Sequence, residues 1–299
     1  MLEVKNVTKY YDKIKAVDDL SFSVPDGSIF GLLGVNGAGK TTTFRMILGL
    51  LEPTKGTITL DGKEIDYDRT DEIGFLTEER SLLTKLTVKE QAIFYGTLKG
   101  MKESEILKKL DEWLERFGIK EYKERKIKEL SKGNQQKVQF ICAVMHDPKL
   151  IILDEPFTGL DPINVEMFME AIKYFKEKGS SIIFSSHRME HVELFCENLL
   201  ILVKGKSVLE GNLKEIKKDY RKKNIHVIGD FDTDKVKSIK GVLGLSKDAT
   251  ETIIHLRDES IVDDVFNVVK KGKNILRFTV EDASLNEIFL SKVGASYEE

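Results

Sequence analysis

The stretch Gly34-Val-Asn-Gly-Ala-Gly-Lys-Thr41 decides the fold. It fits G-x-x-x-x-G-K-[ST], a loop whose backbone cradles the phosphates of a nucleoside triphosphate. Its flanks are those the motif requires. Apolar Ile29 to Leu33 reads as a short buried strand, and Lys40 to Leu48 as the start of a helix. Gly34, Gly37 and Gly39 let the backbone bend so that N–H groups along the loop, those of Asn36 and Ala38 among them, point at phosphate oxygens. The helix N-terminus adds a fixed partial positive charge. Lys40 is expected at the β- and γ-phosphates, and the Thr41 hydroxyl on Mg2+. The competing reading, a Gly-rich turn that binds nothing, does not account for the strand before it and the helix after it.

Downstream, Leu150-Ile-Ile-Leu-Asp-Glu155 is an apolar strand ending in two acids. Four consecutive aliphatics imply a strand buried on both faces, as in a parallel sheet, and such sheets present their C-terminal strand ends to ligands. Asp154 is therefore placed to hold Mg2+ through water, and Glu155 to polarise an attacking water. Taken alone, an Asp-Glu pair after an apolar run reads better as a helix cap or a turn. The phosphate loop earlier in the chain tips the reading toward a metal site.

The chain has 299 residues, which suggests one large domain and a smaller one. Hydrophobic residues at 41% support a real core, and charged residues at 32% a wet surface. A formal net charge of −3 is not the footprint of a nucleic-acid binder. The longest purely apolar runs, such as Leu199 to Val203, are far too short to span a bilayer, and acids and bases within the first five positions do not suit a signal peptide. Cys142 and Cys196 lie in unrelated segments without metal-ligand spacing, so buried free thiols in a reducing compartment are expected.

Three further segments complete a set. Leu130-Ser-Lys-Gly-Asn-Gln-Gln136 opens a helix running to about His146; Gly159-Leu-Asp-Pro162 follows the carboxylates; Ser185-Ser-His187 closes an apolar strand, Ser181 to Phe184. In order and spacing, these pieces resemble the ATP-binding subunit of an ABC transporter over roughly residues 1 to 215. The resemblance implies roles. Tyr11 matches the aromatic that stacks on adenine, with Tyr10 as a rival. Thr42 matches the contact to the α-phosphate. Ser131 and Gly133 match residues that clamp the γ-phosphate of the nucleotide on the opposite subunit, Asp161 the loop that crosses the dimer interface, and His187 the γ-phosphate sensor. There are two departures from the family pattern. Glu78 stands where a Gln is common, and could still ligate Mg2+ and orient water while adding a charge. Lys132 and Asn134 replace a glycine and a glutamine in the signature, while Ser131 and Gly133 are kept.

These anchors imply an α/β phosphate-loop cassette over residues 1–215, with a helical subdomain at about 78–148. Apolar residues at helical spacing run from Thr87 to Phe117. The lysine-rich segment Lys214 to Asn224 reads as a solvated connector, with a linker at 216–223. Residues 224–299 read as β-α-β-β-α-β, a small α+β ferredoxin-like unit closed by a helix at Leu285 to Leu290. That end resembles the C-terminal extension of exporter ATPases of drug-resistance and sodium-extrusion systems, and implies dimerisation or regulation. The whole reads as an ATP- and Mg2+-dependent ATPase that powers an exporter. It would close head to tail as a homodimer and dock on a separate transmembrane permease at the inner face of the cell membrane. A nucleic-acid-maintenance clamp or a regulator without transport is the alternative, but such clamps carry a long coiled coil or two cassettes.

Overall fold

A computed structural model describes residues 1–79, 81–186, 188–248 and 250–298. In chain order the elements are β1 (Leu2–Tyr11), β2 (Ile14–Val24), β3 (Ile29–Gly34), α1 (Lys40–Ile47), β4 (Lys55–Leu60), β5 (Lys63–Glu64), β6 (Ile73–Leu76), α2 (Val88–Leu98), α3 (Glu103–Arg116), α4 (Lys132–Val144), β7 (Leu150–Asp154), α5 (Pro162–Glu177), β8 (Ser181–Ser185), α6 (Met189–Phe195), β9 (Asn198–Val203) and β10 (Lys206–Asn212). There follow α7 (Leu213–Asp219), β11 (Lys223–Asp230), α8 (Thr233–Lys237), β12 (Val242–Lys247), β13 (Thr252–Leu256), α9 (Val262–Val269), β14 (Lys273–Asp282) and α10 (Leu285–Glu298). The chain divides into two compact units, Met1–Glu210 and Gly211–Glu299.

The first unit is built on a six-stranded sheet in the order β10-β9-β3-β8-β7-β6. β3 pairs in parallel with β8 and β9, and β7 with β8 and β6. Every residue of β3, β7 and β8 is buried, as their near-continuous apolar runs require. Because β8 separates β3 from β7, the ends that carry Gly34 and Asp154 open on either side of Ser185. A second, four-stranded sheet, β2-β1-β4-β5, pairs antiparallel throughout. One apolar core joins it to the first sheet: Val4, Leu20 and Phe22 cluster with Phe30, Leu32, Phe44, Ile152 and Leu200.

The apolar period from Thr87 to Phe117 falls in two helices, α2 and α3. Thr87 starts α2 with a reciprocal capping box to Glu90. Gly100, at φ 73°, ends that helix before α3 begins. Trp113 of α3 and Phe117, its C-cap, pack with Phe140 of α4 and Phe168 and Phe175 of α5, which ties the helical subdomain to the rest of its unit.

The second unit has the expected order, with β11-α8-β12-β13-α9-β14 and a sheet ordered β12-β13-β11-β14. Its first and third strands are central and all its pairings are antiparallel. It has its own core of Ile225, Val227, Val236, Ile254, Leu256 and Val265. The expected connector is a correction. Lys214 to Asn224 contains most of helix α7, capped by Asn212 Oδ1 accepting from Lys214 N at 3.0 Å, and the start of β11. Leu213 and Ile216, three residues apart, are buried. That short period was hidden by the lysines between and after them. The last helix also runs past Leu290, to Glu298.

Candidate nucleotide-binding site

The phosphate loop leaves β3 at Gly34 and enters α1 at Lys40. Gly39 lies at φ 109°, and a Cβ there would stand 2.7 Å from the carbonyl oxygen of Ala16 on β2. Only glycine lets the loop and that strand approach so closely. Lys40 is buried beneath the loop, its ammonium donating to the Gly34 carbonyl at 2.7 Å and the Val35 carbonyl at 3.3 Å. Burial lowers the Lys40 pKa, against the opposing pull of Glu155, Asp154 and Glu78. Poor hydration strengthens the bond that this ammonium can make to an anion, while the three carboxylates repel that anion unless a cation offsets them.

Asp154 ends β7, paired in parallel register with Ser185 at the end of β8. The Ser185 hydroxyl donates to Asp154 Oδ1 at 2.5 Å and accepts the Glu155 N–H at 3.1 Å. Burial raises the Asp154 pKa; the Ser185 bond opposes it, Glu78 adds to it and Lys40 opposes it. Glu155 is buried at φ 50°, in the left-handed region that a side chain enters at a cost.

One cavity of about 570 Å3 collects most of the expected residues. Gly34, Asn36, Gly37, Ala38, Gly39, Lys40, Thr41 and Thr42 line it, together with Glu78, Asp154 and Glu155. Among the described residues no cluster of three or more His, Cys, Asp or Glu is gathered for a metal. Thr41, Asp154 and Glu78 suit Mg2+ nonetheless. They are hard oxygen donors on one cavity, and this ion is commonly held by one or two carboxylates and completed by substrate phosphates and water.

The remaining candidates lie elsewhere. Ser131, Gly133 and Asp161 do not line this cavity. Ser131 caps α4, accepting from Asn134 N at 3.3 Å, and Asp161 caps α5, accepting from Asn164 N at 2.9 Å. These two helix starts are neighbours: a Cβ on Gly133 would meet Asn164 Nδ2 at 3.5 Å and Leu160 at 3.8 Å. Tyr11 is exposed at the end of β1 with the Lys9 ammonium 5.9 Å from its ring centre, and Tyr10 is exposed likewise beneath Lys15. Neither ring lines the cavity. His187 lies outside the described residues. Sequence reasoning missed Ala16, which lines the cavity from β2, and Gln139, which anchors the segment around Glu78. Ala16 carries no signal in the sequence. Gln139 carried a weak one, as a polar residue among Val138, Phe140 and Ile141 in the part of α4 that is buried, Gln136 to Val144.

Comparison with known proteins agrees with this geometry. The family model described as ABC transporter matches residues 17–158, and that described as ATP-binding protein DrrA1-3-like, C-terminal domain, matches residues 211–293. The chain is 50% identical over 298 residues to the uncharacterized ABC transporter ATP-binding protein YhaQ of Bacillus subtilis (strain 168), covering 100% of both. It is 37% identical over 227 residues to the ABC transporter ATP-binding protein NatA of the same organism, covering 74% of this chain and 92% of NatA. A dimeric, post-hydrolysis structure of the ATP-binding cassette MJ0796 bound to ADP and Pi superposes with a TM-score of 0.65 at 28% identity, covering 71% of this chain and 99% of that one.

Proposed function

The chain belongs to the ABC transporter ATP-binding proteins, and from that premise we propose that it drives export by closing head to tail on a second cassette. It is an ATP-binding cassette with ATPase activity coupled to transport. The observation that carries the proposal is the division of its site. The loop from Gly34 to Thr42 shares one cavity with Asp154, Glu155 and Glu78, while Ser131, Gly133 and Asp161 stand together away from it. A hydroxyl at one helix N-terminus and a carboxylate at the next serve no nucleotide in their own chain. Facing the loop of a second cassette, they complete its site.

In this reading the loop's N–H groups and Lys40 bind the triphosphate. Thr41, Asp154 and Glu78 hold Mg2+, which neutralises charge on the phosphate oxygens when bound. Glu155 accepts a proton from the attacking water. Tyr11 stacks on the base, Thr42 reaches the α-phosphate, and His187 contacts the γ-phosphate. Among the described residues no helix is long and apolar enough to cross a membrane. In this reading a multi-span permease supplies the pathway, and the cassette sits on it at the inner face of the membrane. The second unit steadies or gates the pair of cassettes.

Purification of the full chain from its membranes, with and without ATP, tests this reading. A hydrophobic multi-span protein should accompany it, and substrate should accumulate in inside-out vesicles on ATP addition. Loss of substrate from such vesicles would reverse the assigned direction. Absence of any membrane partner would remove transport from this chain's role.

A further inference from the structure

Ser185 lies between the metal-holding carboxylate and the catalytic base, on a strand that belongs to neither. It ends β8 beside Asp154, and its side chain is completely buried. A buried hydroxyl must find partners for its donor and its acceptor functions. Here it donates to Asp154 Oδ1 at 2.5 Å and accepts from Glu155 N at 3.1 Å. The first bond has the short length typical of a hydroxyl on a carboxylate. The second falls where the chain turns out of β7, at the left-handed Glu155. The N–H of that turn is received by the Ser185 side chain.

Packing does not require a hydroxyl at this position. The three preceding residues of β8, Ile182, Ile183 and Phe184, are apolar and buried. An alanine or valine at position 185 would continue that run. It would leave the Glu155 N–H buried without its acceptor and the Asp154 carboxylate without its donor, each a substantial cost.

We propose that Ser185 is a positioning residue for hydrolysis. One hydroxyl engages Oδ1 of Asp154, which leaves Oδ2 as the oxygen for the cation. The same hydroxyl fixes the peptide that carries Glu155. The metal carboxylate and the general base are therefore held at a set separation by a single atom. The inference rests on the roles assigned above to Asp154 and Glu155.

The test uses the full chain and compares Ser185→Ala and Ser185→Thr with Asp154→Asn and Glu155→Gln. Nucleotide affinity is measured by calorimetry with Mg2+ and with a chelator, kcat at saturating MgATP, and Glu155 amide exchange without nucleotide. Ser185→Ala should match wild type in chelator, which shows that the phosphate loop is intact. It should lose ~10- to 100-fold in kcat, together with most of the affinity that Mg2+ adds, as orienting partners of metal ligands typically do. Its Glu155 amide should exchange faster, and Ser185→Thr, which keeps the hydroxyl, should restore all three readouts.

Three outcomes overturn the proposal. One is a Ser185→Ala protein with wild-type kcat and Mg2+ gain while Glu155→Gln is inactive. Another is equal weakening of binding with and without Mg2+, which marks a general packing role. The third is a folded Ser185→Thr that behaves like Ser185→Ala. Wild-type turnover in Glu155→Gln and Asp154→Asn would instead overturn the reading of the carboxylates.

Discussion

The side-chain amide of Gln139 donates to both the carbonyl and the hydroxyl oxygen of Thr77, each at 3.2 Å. It also reaches the Glu79 carbonyl at 3.2 Å, so both neighbours of Glu78 hang from α4. Ser131 caps the same helix.

Glu78→Gln should change the Mg2+ dependence of hydrolysis more than it changes ATP affinity in chelator. A carboxylate near Mg2+ is favourable, whereas near a γ-phosphate without metal it is repulsive. Superimposable Mg2+ titrations of activity for mutant and wild type would make Glu78 a bystander on the cavity wall.

Glu155→Gln should lower hydrolysis by ~10^2 to 10^4 while ATP binding persists, since a positioned base is lost and the phosphate loop is not. An ATP-bound dimer should accumulate, visible by size-exclusion chromatography with light scattering. Turnover near the wild-type rate would remove Glu155 from the base role.

Lys40→Ala should weaken binding itself. In the proposed reading the ammonium, here on the Gly34 and Val35 carbonyls, is taken over by the phosphates, a charge compensation already felt in the ground state. A loss of roughly 1.5–3 kcal/mol is expected for a hydrogen bond to a charged group. Calorimetry showing unchanged ATP affinity would contradict the phosphate-loop assignment.

Acid should weaken the fold through His146. Its Nε2 lies 3.3 Å from the Ile73 carbonyl, and its Nδ1 is buried without a partner among the described residues. Burial, helped by the nearby Lys99 charge, lowers its pKa from 6.5 to about 4. The unfolded chain takes up its proton first, so stability is full above the unfolded value and falls as pH drops through the window down to about 4. The loss should approach ~3 kcal/mol, at about 1.4 kcal/mol per pH unit. Urea unfolding across that window should show a shallower slope for His146→Gln. Equal slopes would remove His146 as a source.

A chain ending at Glu210 should bind ATP with similar affinity, because the described residues that line the phosphate cavity all belong to the first unit. Self-association or basal turnover should change. Loss of ATP binding in a truncated protein that remains folded would show that the second unit supports the site.

Much of the site was legible because its chemistry is local. A loop that wraps phosphate needs glycines at fixed offsets between a strand and a helix, and the run from Gly34 to Thr41 displays all of this in eight consecutive residues. Asp154 and Glu155 were legible because a strand buried on both faces must be uniformly apolar, so acids at its end stand out. The period-two and helical patterns of the last quarter likewise carried the β-α-β-β-α-β order. The lysine-rich α7 was misread because charge masks a period that rests on only two apolar residues.

By itself, then, the sequence determined most of the elements and most of the residues that line the cavity beside β3 and β7, since both follow from contacts between near neighbours in the chain. Tertiary structure alone decided what lies between them. Parallel pairing put β8 between β3 and β7, and so set Ser185 against Asp154 across 31 positions of sequence. The fold of α4 against β6 hung Thr77 from Gln139 across 62 positions, and strand β2 brought Ala16 to the loop. Serine, glutamine and alanine have no spacing rule that announces such roles. What they do is set by burial and, for the serine and the glutamine, by the partners that the fold places within hydrogen-bond reach.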